Sequence, residues 1–198
     1  MTTRGEKKEN TKAVIRREAH KLFLRHGYEE TTTRQIANAA NVAVGTVFSH
    51  FPDKHSLLQH ILHEEVEAVL IQANAQLSQS SGAFEALQHY AQALFSYYRS
   101  QWDLSIVLLK EAVNAGGDLS AQMNRFVLEL AGRLVQDFPD SDEATRYEVA
   151  RTMMAQYLLV LVEGLGNRES TLMDWLETLQ KQNDLLRRVF ATRSSGIE

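Results

Sequence analysis

The residues best suited to recognising another molecule lie close together in one short segment. Thr46, Ser49 and His50 offer hydroxyl and imidazole groups that can form hydrogen bonds with the edges of DNA bases. Val44 and the methyl group of Thr46 can contact thymine methyl groups, and Gly45 lets a backbone approach closely. Because the segment contains no Arg or Lys, the usual bidentate contact to guanine is missing. Such a segment could read bases through methyl, hydroxyl and imidazole groups, although His50 could equally be a neutral residue packed on the surface.

Residues on either side of this segment are suited to binding phosphate. Lys54 follows a Pro-Asp pair and is expected in the first turn of a helix, where a cation opposes the helix dipole. A phosphate docked there would make this placement favourable, because the ammonium and the helix N-terminus would act together. The alternative is an ordinary exposed lysine. Thr33 and Arg34, at the start of a preceding helix, are placed for contacts with the DNA backbone or the groove edge.

Two short helices joined by a tight turn would position these side chains. Thr32 can accept a hydrogen bond from a free backbone N–H, and Gln35 can return it, which makes a capping box. Asn41 falls where the chain must turn, and Asn readily adopts the left-handed conformation. Pro52 ends the second helix. This pattern is a helix-turn-helix, which places its second helix in the DNA major groove.

An ordered set of short motifs surrounds this element: Leu22-Phe23, Gly27-Tyr28, Thr31-Thr32, Ile36-Ala37, Ala40-Asn41-Val42, Gly45-Thr46, Phe48-Ser49-His50-Phe51, Pro52-Asp53-Lys54 and Leu57-Leu58. With them, residues 11–62 resemble the DNA-binding domain of the tetracycline-repressor (TetR) family of bacterial regulators. Three positions depart from the family pattern, which usually has Gly, Ser and Tyr where this chain has Asn41, Ala43 and Phe48. Ala43 cannot cap the second helix, and Phe48 lacks the hydroxyl that commonly reaches a phosphate.

The resemblance implies an all-α fold with two parts. A three-helix helix-turn-helix domain would occupy residues 1–55, and a larger helical ligand-binding and dimerisation domain would occupy residues 56–198. Hydrophobic periodicity predicts about nine helices in all. Besides the two short helices, they are expected near residues 10–26, 53–78, 84–98, 103–114, 119–138, 144–165 and 171–191, with breaks that include residues 78–82 and Gly116-Gly117.

In the family, the helical body holds a small-molecule effector, and its last two long helices pair with their copies in a homodimer. The candidate pocket residues are aromatic and Met side chains: Tyr90, Phe95, Tyr98, Trp102, Met123, Phe126, Met153 and Tyr157. The candidate dimer residues are Met154, Leu158, Leu161, Leu165, Trp175, Leu179 and Leu186. Each pocket candidate could instead be a core residue, and both helices could be buried within one subunit. We expect no cofactor and no metal site.

Charge is distributed unevenly along the chain. Residues 1–60 contain ten Lys or Arg and six Asp or Glu, a balance of +4, whereas the remainder has a balance of −8, which gives the net charge of −4. This asymmetry suggests that residues 1–60 form a polyanion-binding head and that the remaining residues form an acidic body. Before the first predicted helix, Arg4, Lys7 and Lys8 could form a flexible basic arm or a disordered tail.

Several function classes are disfavoured by what the sequence lacks. It has no Cys, which excludes disulfides and thiolate catalysis, and no P-loop, G-x-S-x-G or H-E-x-x-H motif. The N-terminus has no apolar run of a signal peptide, and no apolar run could span a bilayer, so we expect a cytoplasmic protein without a membrane partner. The prediction is a ligand-responsive regulator, a repressor that binds a palindromic DNA operator as a homodimer. An activator of the same family, a helical adaptor or an enzyme are the alternatives.

Overall fold

A computed structural model describes residues 3–115 and 118–194 of the chain. These residues form nine α-helices and no strand, which confirms the predicted all-α fold. The predicted break at Gly116-Gly117 lies outside the described residues. Within the described residues, no helix is long and apolar enough to cross a membrane. The helices are α1 (Arg4–His26), α2 (Thr33–Ala39), α3 (Val44–His50), α4 (Lys54–Gln76), α5 (Ala83–Ser100), α6 (Trp102–Ala115), α7 (Asp118–Asp137), α8 (Glu143–Gly166) and α9 (Leu172–Ser194).

Helix α1 begins six residues earlier than predicted. Thr3 caps it, since its hydroxyl accepts from the Glu6 backbone N–H at 3.2 Å while the Glu6 carboxylate accepts from the Thr3 N–H at 2.6 Å. The expectation that Arg4, Lys7 and Lys8 form a flexible arm or disordered tail was therefore wrong. The capping box was missed because no apolar pattern follows it in this polar segment. The first buried residue of α1 is Ile15.

Two compact units divide the described residues. The first comprises the residues up to Ala68 together with Gln101–Lys110. In it α2 packs against both α1 and α3, and small residues such as Ala19 and Ala37 are fully buried where the helices meet. The core is completed by large apolar side chains of all three helices and of the amino-terminal half of α4: Ile15, Phe23, Ile36, Val47, Phe51, Leu57, Leu58 and Leu62.

The second unit contains Val69–Ser100 and the described residues from position 111 onward. Helix α5 packs against α7, α8 and α9, and α8 packs against both α7 and α9. Gly164 lets α8 and α9 approach closely, because a Cβ at that position would overlap the indole ring of Trp175. Asp137, at the end of α7, accepts a hydrogen bond from the Ala83 N–H at 2.6 Å and so caps the start of α5.

Candidate functional site

Hydrogen bonds between neighbouring residues fix the start of α2. The Thr32 hydroxyl accepts from the Gln35 N–H at 3.3 Å, and Gln35 Oε1 accepts from the Thr32 N–H at 2.7 Å. The predicted capping box is therefore present. Just before it, the buried Thr31 hydroxyl donates to the Gly27 carbonyl at 2.8 Å, which ties the end of α1 to the start of α2. Thr33 and Arg34 are thereby held in the first turn of α2.

The turn between α2 and α3 has the predicted left-handed residue. Asn41 has a φ of 53° and is the one non-Gly residue with positive φ among the described residues. The Val42 N–H then donates to the Ala37 carbonyl at 3.0 Å, which closes the turn against α2. Helix α3 begins after Ala43 with no side-chain cap, as predicted. Its position therefore depends on the turn and on the buried Val47 rather than on a capping bond.

Helix α3 turns the predicted reading residues away from the core to different degrees. Gly45, Phe48 and Ser49 are exposed, whereas Val44, Thr46 and His50 are half-buried. The Phe48 ring is 51% exposed, so an apolar ring occupies the outer face where the family usually has a Tyr. Ser49 Oγ donates to the Thr46 carbonyl at 2.7 Å, which leaves its lone pairs available to an incoming donor.

Gly45 has empty space around its backbone. A Cβ built at this position would meet no atom within 4 Å apart from its chain neighbours and the backbone of its own helix, although Gly45 lies inside a helix, where glycine is less stable than alanine. The fold of the head does not require this glycine. Its absent side chain leaves the exposed backbone of α3 open to close approach by a partner.

Lys54 makes contacts that its sequence position did not predict. Its Nζ donates to the carbonyl of Tyr28 at 2.7 Å and to the carbonyl of Glu29 at 3.2 Å, and it lies 4.2 Å from the centre of the Tyr28 ring. The first turn of α4 is thus bound to the loop between α1 and α2. An ammonium has three N–H donors, so one remains for a further acceptor. Asp53 caps the same helix by accepting from the Ser56 N–H at 2.6 Å.

Comparisons with known proteins agree with this geometry. The profile of the family "Bacterial regulatory proteins, tetR family" matches residues 15–61, which contain the helix-turn-helix. The HTH-type transcriptional repressor AcnR of Corynebacterium glutamicum is 30% identical over 88 residues, which are 43% of this chain and 47% of the repressor. The chain therefore aligns with about half the length of that relative.

Residues 15–61 are therefore a TetR-family domain. Nucleoid occlusion factor SlmA of Vibrio vulnificus is 23% identical over 83% of this chain and 86% of its own length. Among solved structures, Thermus thermophilus FadR, described as a TetR family transcriptional repressor in complex with lauroyl-CoA, superposes with a TM-score of 0.71. It is 23% identical, and the match covers 88% of this chain and 92% of that one. At this low sequence identity, the likeness to FadR shows a shared fold.

The predicted dimer residues lie mostly inside the subunit. Trp175 is 2% exposed and Leu179 is fully buried, and Trp175 contacts the Phe95 ring edge-on at 5.4 Å. Leu158 and Leu186 are half-buried. Five of the predicted dimer residues are therefore core residues of the subunit rather than surface for a second copy, because the subunit covers them completely or nearly so: Met154, Leu161, Leu165, Trp175 and Leu179.

Other side chains of α8 and α9 are available to a second copy. Ala155, Leu159, Val162 and Gly166 are exposed on α8, and their spacing places them on one face of the helix. Leu159 is 50% exposed and Val162 is 44% exposed. On α9, which packs against α8, Leu185 is 62% exposed. The sequence did not distinguish this face from the opposite one, because the second half of α8 is apolar on nearly all sides.

The predicted pocket residues fall into separate groups. Tyr90 packs against Phe126 at 5.1 Å, and its hydroxyl lies 2.9 Å from Asn74 Oδ1 and 2.8 Å from Glu129 Oε1. Tyr90 is therefore bound within the subunit, and burial together with Glu129 raises its pKa to about 12. Met123 is half-buried. Trp102 belongs to the first unit and the other candidates to the second.

A second aromatic group offers an unsatisfied polar atom. Tyr157 stacks on Phe95 at 5.0 Å with the rings 8° from parallel, and Met153 is fully buried on the same helix as Tyr157. The Tyr157 hydroxyl is buried and has no hydrogen-bond partner among the described residues. Burial raises the pKa of Tyr98 to about 12 and, with the neighbouring Tyr98, raises the pKa of Tyr157 well above its ordinary value. Both hydroxyls therefore remain neutral donors at physiological pH.

Proposed function

We propose that this chain is a transcriptional regulator that binds operator DNA as a homodimer and leaves it when a small molecule binds the helical body. The open, exposed outer face of α3 carries this proposal, because it offers polar, methyl and aromatic groups with room for a major groove around them. A DNA partner implies a cytoplasmic protein. Repression is the favoured mode because the relative AcnR is a repressor.

The contacts with DNA divide into two kinds. Val44, Gly45, Thr46, Phe48, Ser49 and His50 read the groove from α3. Thr32, Thr33 and Arg34 at the start of α2, together with Lys54, hold the phosphate backbone. The remaining N–H of Lys54 supports its part, since the other two are used by the carbonyls of Tyr28 and Glu29.

Selection of duplexes from a random-sequence pool tests this DNA-binding function. The protein should enrich a palindromic site, and its affinity should fall steeply as salt increases. On that site Thr46→Ala should alter the preference among base variants, because Thr46 contacts bases rather than phosphates. Recovery of unrelated sequences with no common site would count against a sequence-specific regulator.

A homodimer through the exposed face of α8 and the neighbouring part of α9 would place two copies of α3 on the two halves of a palindrome. Leu159→Arg introduces a charge at the centre of that face and should yield monomers in light scattering, with weaker operator binding. Leu128→Arg on α7 is the control, since Leu128 is also exposed, at 56%, but lies elsewhere. A dimer that survives Leu159→Arg would refute this interface.

An effector site beside Tyr157 is supported by its unsatisfied buried hydroxyl. A buried polar group without a partner costs about 1–3 kcal/mol, which a ligand with a hydrogen-bond acceptor would recover. The ligand would affect DNA binding only if its affinity differs between the free and the DNA-bound protein, and such couplings are typically about 1–3 kcal/mol. Ligands found by thermal-shift screening should bind more weakly, by calorimetry, in the presence of operator. Equal affinities would exclude release by that ligand.

Activation is the second regulatory mode. In vitro transcription from a promoter that contains the selected site separates the two modes, since a repressor lowers and an activator raises the transcript yield when no ligand is present.

A further inference from the structure

We propose that helix α1 carries a second DNA-contact surface, formed by the row Arg4, Lys8 and Lys12, which grips the phosphate backbone beside the groove that α3 reads. This inference rests on the proposed DNA-binding function and adds a partner surface to it. The sequence alone did not show whether the residues before position 10 are helical. In the structure the capping box of Thr3 and Glu6 starts one continuous helix that includes them.

The three cations share one face of α1. Since each residue of an α-helix turns by about 100°, Lys8 lies roughly 40° and Lys12 roughly 80° around the axis from Arg4. Ile15 and Ala19, both fully buried, fall within the same sector. The row therefore lies on the same face of α1 that packs against the rest of the head. It extends that face beyond the packed core, towards the amino terminus. The acids Glu6 and Glu9 lie about 100° or more away from the middle of this row.

The inner end of the row lies next to the end of the reading helix. Lys12 Nζ is 5.9 Å from the centre of the Phe51 ring, and Phe51 is the residue that caps the C-terminus of α3. One turn further along α1, Arg16 forms an ion pair with Glu64 of α4. The row therefore starts from a fixed point on the DNA-reading head, and Arg4 lies about 12 Å along the helix from Lys12.

The outer two cations are available to a polyanion. Within the described residues, neither Arg4 nor Lys8 forms an ion pair or a hydrogen bond through its side chain, and both are exposed. Arg17 and Lys21, on the opposite side of α1, differ in this respect, because both pair with Glu18, at 2.9 Å and 3.0 Å. A phosphate backbone complements a row of unneutralised cations and gives it a salt-dependent, sequence-independent affinity.

The salt dependence of binding tests this surface. The double variant Arg4→Gln/Lys8→Gln removes the two outer cations, and Gln preserves helix propensity. Its matched control is Arg17→Gln/Lys21→Gln, which removes the same charge from the opposite side of the same helix. The probe is a duplex selected by the wild-type protein from a random-sequence pool, and the measurement is the slope of log K against log salt concentration, with circular dichroism and urea unfolding as checks on the fold.

The slope of the Arg4→Gln/Lys8→Gln variant should be shallower by about 0.9 for each phosphate that is no longer neutralised, or about 1.8 for each subunit. The control should keep the wild-type slope. A wild-type slope for Arg4→Gln/Lys8→Gln, or an equal change in the control, would overturn the surface while leaving the proposed function intact. If the wild-type protein selects no duplex at all, the proposed function itself fails and the surface fails with it.

Discussion

Gly45 gives the sharpest test of whether the α3 backbone approaches DNA. In Gly45→Ala a methyl group enters space in which no atom lies within 4 Å apart from its chain neighbours and the backbone of its own helix. Because glycine in a helix is less stable than alanine by roughly 0.5–1 kcal/mol, the variant should be slightly more stable than the wild type. The gain should fall near the lower end of that range, since Gly45 is the second residue of α3.

Binding to the operator should change in the opposite direction. If the groove edge lies against the Gly45 backbone, the added methyl group displaces α3 and disturbs the contacts of Thr46 and Ser49 with the bases. A disturbed base contact costs about 1–3 kcal/mol in each half-site, which corresponds to at least roughly fivefold weaker binding. A more stable protein that binds less tightly cannot result from misfolding.

Two measurements are needed, urea unfolding for stability and fluorescence anisotropy with a selected operator for affinity. Gly132→Ala is the control. Gly132 lies within α7, a Cβ there also meets no atom within 4 Å, and it is remote in sequence from the head. It should gain stability without losing affinity. Unchanged operator affinity in Gly45→Ala would refute close approach of the α3 backbone, and lower stability would show that the space around Gly45 is not open.

Three further predictions concern other parts of the chain. Thr32→Ala removes the α2 cap and should lower the free energy of unfolding by about 0.5–2 kcal/mol in urea; no loss would mean that the capping box adds nothing. Tyr157→Phe removes an unsatisfied buried hydroxyl and should preserve or raise stability while weakening effector binding, whereas Tyr90→Phe loses satisfied hydrogen bonds and should lower stability; the opposite order would exclude the assignment. The hydrogen bond to Glu65, at 2.9 Å, raises the pKa of His20 above its ordinary 6.5, so the stability that His20 contributes should be complete below about pH 6.5 and disappear as pH rises through the folded-state pKa. Urea unfolding of the wild type and of His20→Gln at several pH values measures the difference in stability between them. A difference that grows towards alkaline pH would contradict this role of His20.

The head could be predicted in detail because its signals are local. The capping box of Thr32 and Gln35 joins residues three apart, and the left-handed Asn41 and the uncapped start of α3 after Ala43 depend only on their immediate neighbours. Such features follow from residue type and spacing. The capping box of Thr3 and Glu6 obeys the same rule, but the absence of an apolar pattern beside it concealed the first turns of α1.

Contacts between distant residues could not be predicted in the same way. Lys54 donates to the carbonyls of Tyr28 and Glu29, which are 26 and 25 residues away in the chain. Its position in the first turn of α4 indicated a cation near a helix N-terminus, but only the fold brings the loop after α1 to it. The ammonium therefore stabilises the head, in addition to the phosphate contact that we propose for it.

By itself, the sequence determined the all-α fold and the local build of the helix-turn-helix, because these depend on periodicity and on contacts within a turn or two. Only the tertiary structure decided which face of an apolar helix is inside. Trp175 and Leu179 follow the spacing of an interface helix yet belong to the core, while Leu159 and Leu185 remain exposed. Helical spacing shows which residues share a face, but the neighbours of that face come from distant parts of the chain.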